Sequence, residues 1–229
     1  MSTPTVLVPG MLCDRYLFSD VRERLHGPVL DARIDAASIG EMAEQVLSTT
    51  ETEFVLCGVS LGAIVGFEVL RRAPERVAGF CAVSTNPAAP TGAQLAAWRD
   101  IRERVRCGDF SRVVREELLP TMFASPEPGH ELEREFTGMA ERLGPDVLRD
   151  QLAAQATRQD ARRWLGDARC PTLVLCGSRD ALCPPRWHRE LAETVPGAVL
   201  RILPGAGHLL PLERPALVAG LLNEWNPVA

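Results

Sequence analysis

Residues 54–72 read FVLCGVSLGAIVGFEVLRR, and the architecture of the chain follows from how this stretch divides. An apolar run, residues 54–57, enters Gly58-Val59-Ser60-Leu61-Gly62, and a helical spacing leaves it through Ile64, Val65, Phe67, Val69 and Leu70. The pattern is strand, tight turn, helix. Small residues two before and two after Ser60 let helix and strand approach closely, so the serine is thrust out at the carboxyl end of the strand. A hydroxyl is a weak nucleophile unless a base reaches it and water is kept from competing, and such a bend meets both needs. The helix that follows points its amino terminus at the same place, which makes the Leu61 N–H available to a developing oxyanion.

Working outward, residues 5–8 form a short β-branched run, 13–25 carry helical spacing, and 28–34 read as a second strand. Ser38, with Glu41 three residues on, reads as the cap of a helix through Met42 and Val46. After the opening stretch, residues 77–84 are a further apolar strand of the kind buried on both faces. From Asn86-Pro87 to Asp167 the alternation stops and only helical patterns remain, interrupted at residues 125–129 and at Gly144-Pro145. Strand signals return at 171–176 and 198–203, with helices at 185–194 and 215–225. The expectation is an α/β fold: a reduced, mostly parallel sheet of about six strands with helices on both faces. Its core is made of residues 1–86 and 168–229, with a helical lid inserted at 87–167.

The composition narrows the chemistry. At 229 residues and 46% hydrophobic content the chain can bury a sizeable core. All 25 basic residues are arginine, so a Walker-type phosphate loop, a lysine Schiff base and a lysine nucleophile are excluded. The net charge of −5, with no basic face or aromatic interleaving, gives no reason to expect nucleic acid as a partner. No apolar run approaches membrane-spanning length, and the start, MSTPTVLVPGML, lacks the charged region of a signal peptide. Seven cysteines are scattered, and Cys57, Cys81 and Cys176 lie inside strand-like runs, as buried free thiols do; the expectation is a reduced, cytoplasmic protein. No cysteine pair or histidine pair has metal-ligand spacing, so no metal is expected.

A parallel sheet brings the carboxyl ends of its strands to one edge, so residues that follow different strands meet there. After 171–176 comes Gly177-Ser178-Arg179-Asp180, and after 198–203 comes Pro204-Gly205-Ala206-Gly207-His208. Both loops converge on Ser60. His208 is the candidate base and Asp180 the acid that fixes its tautomer, in the chain order serine, aspartate, histidine. Singly, His208 reads as a loop histidine and Asp180 as a turn former; the joint placement favours a triad. Met11, after Pro9-Gly10 at the end of the first strand, offers a second backbone N–H beside that of Leu61, although the same residues suit a plain strand-ending turn. His26, His130 and His188 read as solvated surface residues.

The stretches VLVPGM, CGVSLGA, CPTLVLCGSRDALCPP and PGAGHLLPLERP together resemble the α/β-hydrolase superfamily, in its esterase and lactonase-like branch with helical lids. The resemblance implies Ser60 as nucleophile, Asp180 as orienting acid, His208 as base, and Met11 and Leu61 as oxyanion donors. Many relatives have His-Gly where this chain has Pro9-Gly10. Relatives also carry two further strands before the first one here. The implied activity is a cofactor-free serine hydrolase that cleaves a carboxylic ester or thioester through an acyl-enzyme. The same triad also serves perhydrolases, lactonases and carbon–carbon hydrolases, and a ligand-binding receptor with slow turnover is a reading of a different class. The expected partner is a small-molecule ester or thioester, with a carrier-protein thioester suggested by twelve arginines between Leu95 and Leu165; thirteen acidic residues in the same span argue instead for a salt-bridged solvated face. Trp98, Phe123, Phe136, Met139 and Trp164 are candidates to line an acyl pocket, or simply to hold the lid helices together.

Overall fold

Six parallel strands form one sheet in the computed structural model, which describes residues 3–227: β1 (Thr5–Val8), β2 (Val29–Asp31), β3 (Phe54–Val59), β4 (Val77–Val83), β5 (Thr172–Gly177) and β6 (Val199–Leu203). Their spatial order is β2-β1-β3-β4-β5-β6. The chain steps from β1 outward to β2 and then back past β1 to β3, so the crossovers diverge there. In an open parallel sheet that divergence leaves a crevice beyond the strands' carboxyl ends. The inner strands are buried on both sides. Leu7, Cys57, Val59, Cys81, Val83 and Leu173 face one core, while Val6, Val8, Leu56, Ala82 and Val174 face the other. Alternate side chains thus enter opposite layers, which is why these strands read as unbroken apolar runs.

Between β1 and β2 the helix expected over 13–25 is shorter. A 3₁₀ turn at Arg15–Phe18 leads into a single helical turn, α1 (Ser19–Arg22). The Asp14 carboxylate accepts the Tyr16 N–H at 2.9 Å, a local bond that competes with a regular helical start. The strand expected over 28–34 pairs only at Val29–Asp31, because beyond it the Ile34 carbonyl accepts the Gln151 side chain and the Asp35 N–H binds Gln45. α2 (Ile39–Leu47) starts at Ser38, whose hydroxyl accepts the Glu41 N–H at 3.2 Å and donates to the Glu41 carboxylate at 2.8 Å. α3 (Leu61–Arg72) leaves β3 directly and is buried through its first ten residues, Leu61 to Leu70.

The segment between β4 and β5 is helical: α4 (Gly92–Arg106), α5 (Phe110–Arg112) running on through a π-helical stretch and a 3₁₀ turn, α6 (His130–Thr157) and α7 (Arg162–Leu165). α4 opens on a capping box between Thr91 and Gln94. α6 breaks at Gly144, which sits at φ 79° before Pro145, where the sequence places the interruption. The apolar side of this segment, including Val105, Val114, Phe136 and Leu148, continues the same core that β1, β3 and β4 share with α1. The chain then completes the sheet through α8 (Pro185–Thr194) and closes with α9 (Leu210–Glu213) and α10 (Pro215–Trp225). No described helix is long and apolar enough to cross a membrane.

Candidate active site

Ser60 occupies the turn between β3 and α3 with φ 54° and ψ −112°, a conformation that a residue with a Cβ rarely adopts. It persists because its neighbours hold it on both sides. The Ser60 N–H donates to Val83 O at 2.8 Å, and its carbonyl accepts the Thr85 hydroxyl at 3.1 Å, both from the end of β4. On the other side, α3 begins so close to β1 that a Cβ on Gly62 would lie 2.3 Å from Val8 O. Any residue but glycine there would push the serine's helix off the first strand.

The loops after β5 and β6 deliver the other two groups. His208 Nε2 lies 2.9 Å from Ser60 Oγ, and His208 Nδ1 lies 2.8 Å from Asp180 Oδ2. A carboxylate only accepts, so Nδ1 carries the proton and Nε2 presents its lone pair to the serine O–H. The second Asp180 oxygen accepts the N–H groups of Leu182 at 3.0 Å and Cys183 at 2.8 Å, which fixes the carboxylate plane. Both residues are almost wholly buried, at 3% exposure for Asp180 and 2% for His208. Burial strengthens each polar contact and keeps water from replacing it. The two loops are tied to each other as well: Ser178 Oγ accepts the Gly205 N–H, and Arg179 N–H donates to Ala206 O.

Met11 lines the same space, and Leu61 follows the serine directly in the chain. Leu61 is the first residue of α3, and the opening N–H groups of a helix have no acceptor inside it. Met11 lies in the turn after β1, and among the described residues its N–H donates to no backbone acceptor outside regular elements. The next residue, Leu12, has φ 54° and donates its N–H to Gln151 Oε1 at 2.9 Å; the Gln151 amide then donates to Ile34 O at 2.9 Å. This buried glutamine from α6 pins the turn after β1, and the sequence offered no sign of it beyond a polar residue within a helical pattern.

A cavity of about 170 Å³ opens beside Ser60, Gly10, Met11 and His208. Its far walls come from the inserted segment, chiefly Trp98 and Ile101 of α4, Leu152 and Gln155 of α6, and Arg158. Of the five residues expected at an acyl pocket, Trp98 alone lines it. Phe123, Phe136 and Met139 are buried in the core beneath the inserted helices, and Trp164 stands in the other layer, donating its indole N–H to Phe67 O at 3.2 Å. Cys183 lines the cavity, burial pushing its thiol up to about 12, whereas Cys13 lines a separate one. His26 and His130 are exposed. His188 is not a surface residue: it is fully buried and accepts the Thr85 N–H on Nε2 at 2.8 Å. The sequence does carry a signal for this: His188 shares one helical face with Leu191, Ala192 and Val195, at i, i+3, i+4 and i+7, and Leu191 and Val195 are buried.

Relatives share this chain over nearly its whole length. A pimeloyl-[acyl-carrier protein] methyl ester esterase from Neisseria meningitidis serogroup C is 24% identical over 241 residues, spanning 96% of this chain and 91% of the relative. The corresponding esterase of Photobacterium profundum is 27% identical over 200 residues, 84% of this chain and 78% of its own. Among solved structures, a thermophilic esterase from Thermogutta terrifontis, bound to malate, matches with a TM-score of 0.93 at 27% identity, covering 100% of this chain and 92% of that one. An enol-lactonase from Burkholderia xenovorans, at 18% identity and a TM-score of 0.86 over 99% of this chain and 92% of its own, has the same fold. The six-stranded parallel sheet, the strained serine turn and a match to the alpha/beta hydrolase family over residues 8–221 agree, and the chain belongs to that family.

Proposed function

We propose that the protein hydrolyses a small carboxylic ester through an acyl-enzyme on Ser60. The observation that carries this is the unbroken series Ser60 Oγ, His208 Nε2, His208 Nδ1 and Asp180 Oδ2, with contacts of 2.9 and 2.8 Å. Ser60 Oγ bonds to the ester carbon while its proton passes to His208 Nε2. The Met11 and Leu61 N–H groups receive the oxyanion. His208 gives the proton to the departing alcohol. A water then attacks the acyl carbon, yields its proton to His208, and the serine leaves with that proton restored. Asp180 holds the ring throughout and offsets the charge of the imidazolium. The segment 87–167 acts as the lid, since it supplies most of the wall opposite the serine.

The esterase names of the relatives support the ester as substrate class. A small-molecule ester suits this chain better than one carried on an acidic carrier protein. Arg104, Arg106, Arg112, Arg115, Arg142 and Arg149 are each paired with a carboxylate, so much of the basic charge of the inserted segment is already engaged within the chain. The test is a panel of p-nitrophenyl esters against wild type and Ser60→Ala. The expected loss in kcat is on the order of 10⁴-fold or more, with the circular dichroism spectrum and melting temperature unchanged. Equal turnover by Ser60→Ala refutes the assignment. Ligand-induced melting shifts without turnover in wild type point to a receptor.

A further inference from the structure

Arg158, directly after α6, is a buried cation without an anion. It is 7% exposed, and no carboxylate among the described residues forms an ion pair with it. Nη1 donates to the neutral Gln155 Oε1 at 3.1 Å, the guanidinium carbon sits 5.5 Å from the centroid of the Trp98 ring, and Nε has no hydrogen-bond partner. The acidic groups nearest in the chain and in the adjoining crevice are taken: Asp160 pairs with Arg162, and Glu68 with Arg71 and Arg72. Isolating a guanidinium from water without a counter-charge is unfavourable, and burial holds its pKa below the usual arginine value. Folds keep such a group where something else completes it.

Arg158 lines the same cavity as Ser60 and His208. Among the described residues no aspartate or glutamate lines that cavity, and Arg158 is the one permanent charge in its walls. At about 170 Å³ it is small beside ligand pockets of roughly 300–1,000 Å³, which suits a short acyl chain. One planar cation matches one planar monoanion, and a phosphate dianion would leave surplus charge buried. We propose that Arg158 binds the free carboxylate of the substrate, which is therefore the monoester of a short dicarboxylic acid, its ester at Ser60 and its free carboxylate at the guanidinium. This rests on the esterase reading above and names the substrate class for it.

The test compares monomethyl succinate, glutarate and adipate with their neutral dimethyl esters. Wild type is expected to favour at least one half-ester over its dimethyl counterpart in kcat/KM. Arg158→Met is expected to lose on the order of 100-fold on that half-ester and at least about 10-fold less on the dimethyl ester, with partial recovery in Arg158→Lys. Preference for the dimethyl esters throughout, or equal loss on both classes in Arg158→Met, overturns the proposal and leaves the esterase reading standing. Calorimetric titration of Ser60→Ala with monomethyl glutarate needs no turnover. Binding that Arg158→Met abolishes supports the carboxylate site even if no ester is hydrolysed, and binding that survives Arg158→Met overturns it. Melting curves of each variant confirm that it is folded.

Discussion

Two histidines feel the charge of one aspartate, Asp180, in this molecule, and their surroundings give them opposite duties. His208 is held between Asp180 and Ser60, where it can take and return a proton. His188 is sealed beneath the turn after β4, with Nε2 committed to the Thr85 N–H and Nδ1 3.4 Å from Pro184 O. Burial drives its pKa down from 6.5 to about 4, with Asp180 opposing only in part. The folded value lies below the unfolded one, so between the two the unfolded chain binds more protons. Stability from the neutral ring is fully present above pH 6.5 and falls as the pH drops toward about 4. Urea unfolding at pH 7 and pH 5 should show a loss of about 2 kcal/mol from this residue. In His188→Gln, whose amide oxygen can still accept from Thr85, the difference between the two pH values should shrink by that amount. An unchanged pH dependence in the variant would show that the ring is not buried neutral. Asp180 and His208 were legible because each lies in the loop that follows a strand. Arg158 has no such mark, and its isolation comes from packing that only the fold assigns; His188 could have been placed inward from its helical spacing with Leu191 and Val195.

At the scale of elements, β3 and α3 announce themselves through a change of period across residues 54–72, and the structure places them at Phe54–Val59 and Leu61–Arg72. Residues 13–25 mislead for a physical reason. Leu17 and Val21 have helical spacing and are buried, yet Asp14 and the short path back to β2 leave room for only a 3₁₀ turn and one helical turn. What ties that region to the site is a side chain from a distant element. Gln151 of α6 satisfies both the Leu12 N–H and the Ile34 carbonyl, and it is 1% exposed. Gln151→Leu keeps the volume and orphans two backbone groups. It should cost about 2–4 kcal/mol in urea unfolding. It should also lower kcat more than it raises KM, because in the proposed mechanism the freed turn carries the Met11 N–H that meets charge only in the transition state. A variant that loses stability with kcat intact would separate the turn from the oxyanion.

Seen whole, the molecule gathers its strain at one edge. Leu12, Ser60 and Ser84, the non-glycine residues with positive φ among those described, follow β1, β3 and β4, all at the carboxyl ends of the sheet. The six-stranded parallel sheet and the helical character of the segment between β4 and β5 could be read from the alternation of periods. The seating of the insert could not, because it depends on contacts between residues far apart in the chain. One such contact joins the insert to the loop that carries His208. Glu213 of α9 accepts the N–H of Gly207, next to His208, at 2.9 Å and that of Ala124, from the inserted segment, at 3.1 Å. The two backbones are so close that a Cβ on Gly207 would lie 2.2 Å from Ala124 N and 2.3 Å from Phe123 C. Main chain cannot move aside as a flexible side chain would, so Gly207→Ala must separate the insert from the loop that carries His208. The expected cost is about 1–3 kcal/mol, the usual range for overpacking. The loss in kcat should be larger in proportion, about 100-fold, because a shift of 1 Å in the imidazole breaks its alignment with Ser60. A crystal structure of the variant, with activity measured below its melting transition, distinguishes the two effects: an unmoved His208 with kcat reduced would place the coupling elsewhere.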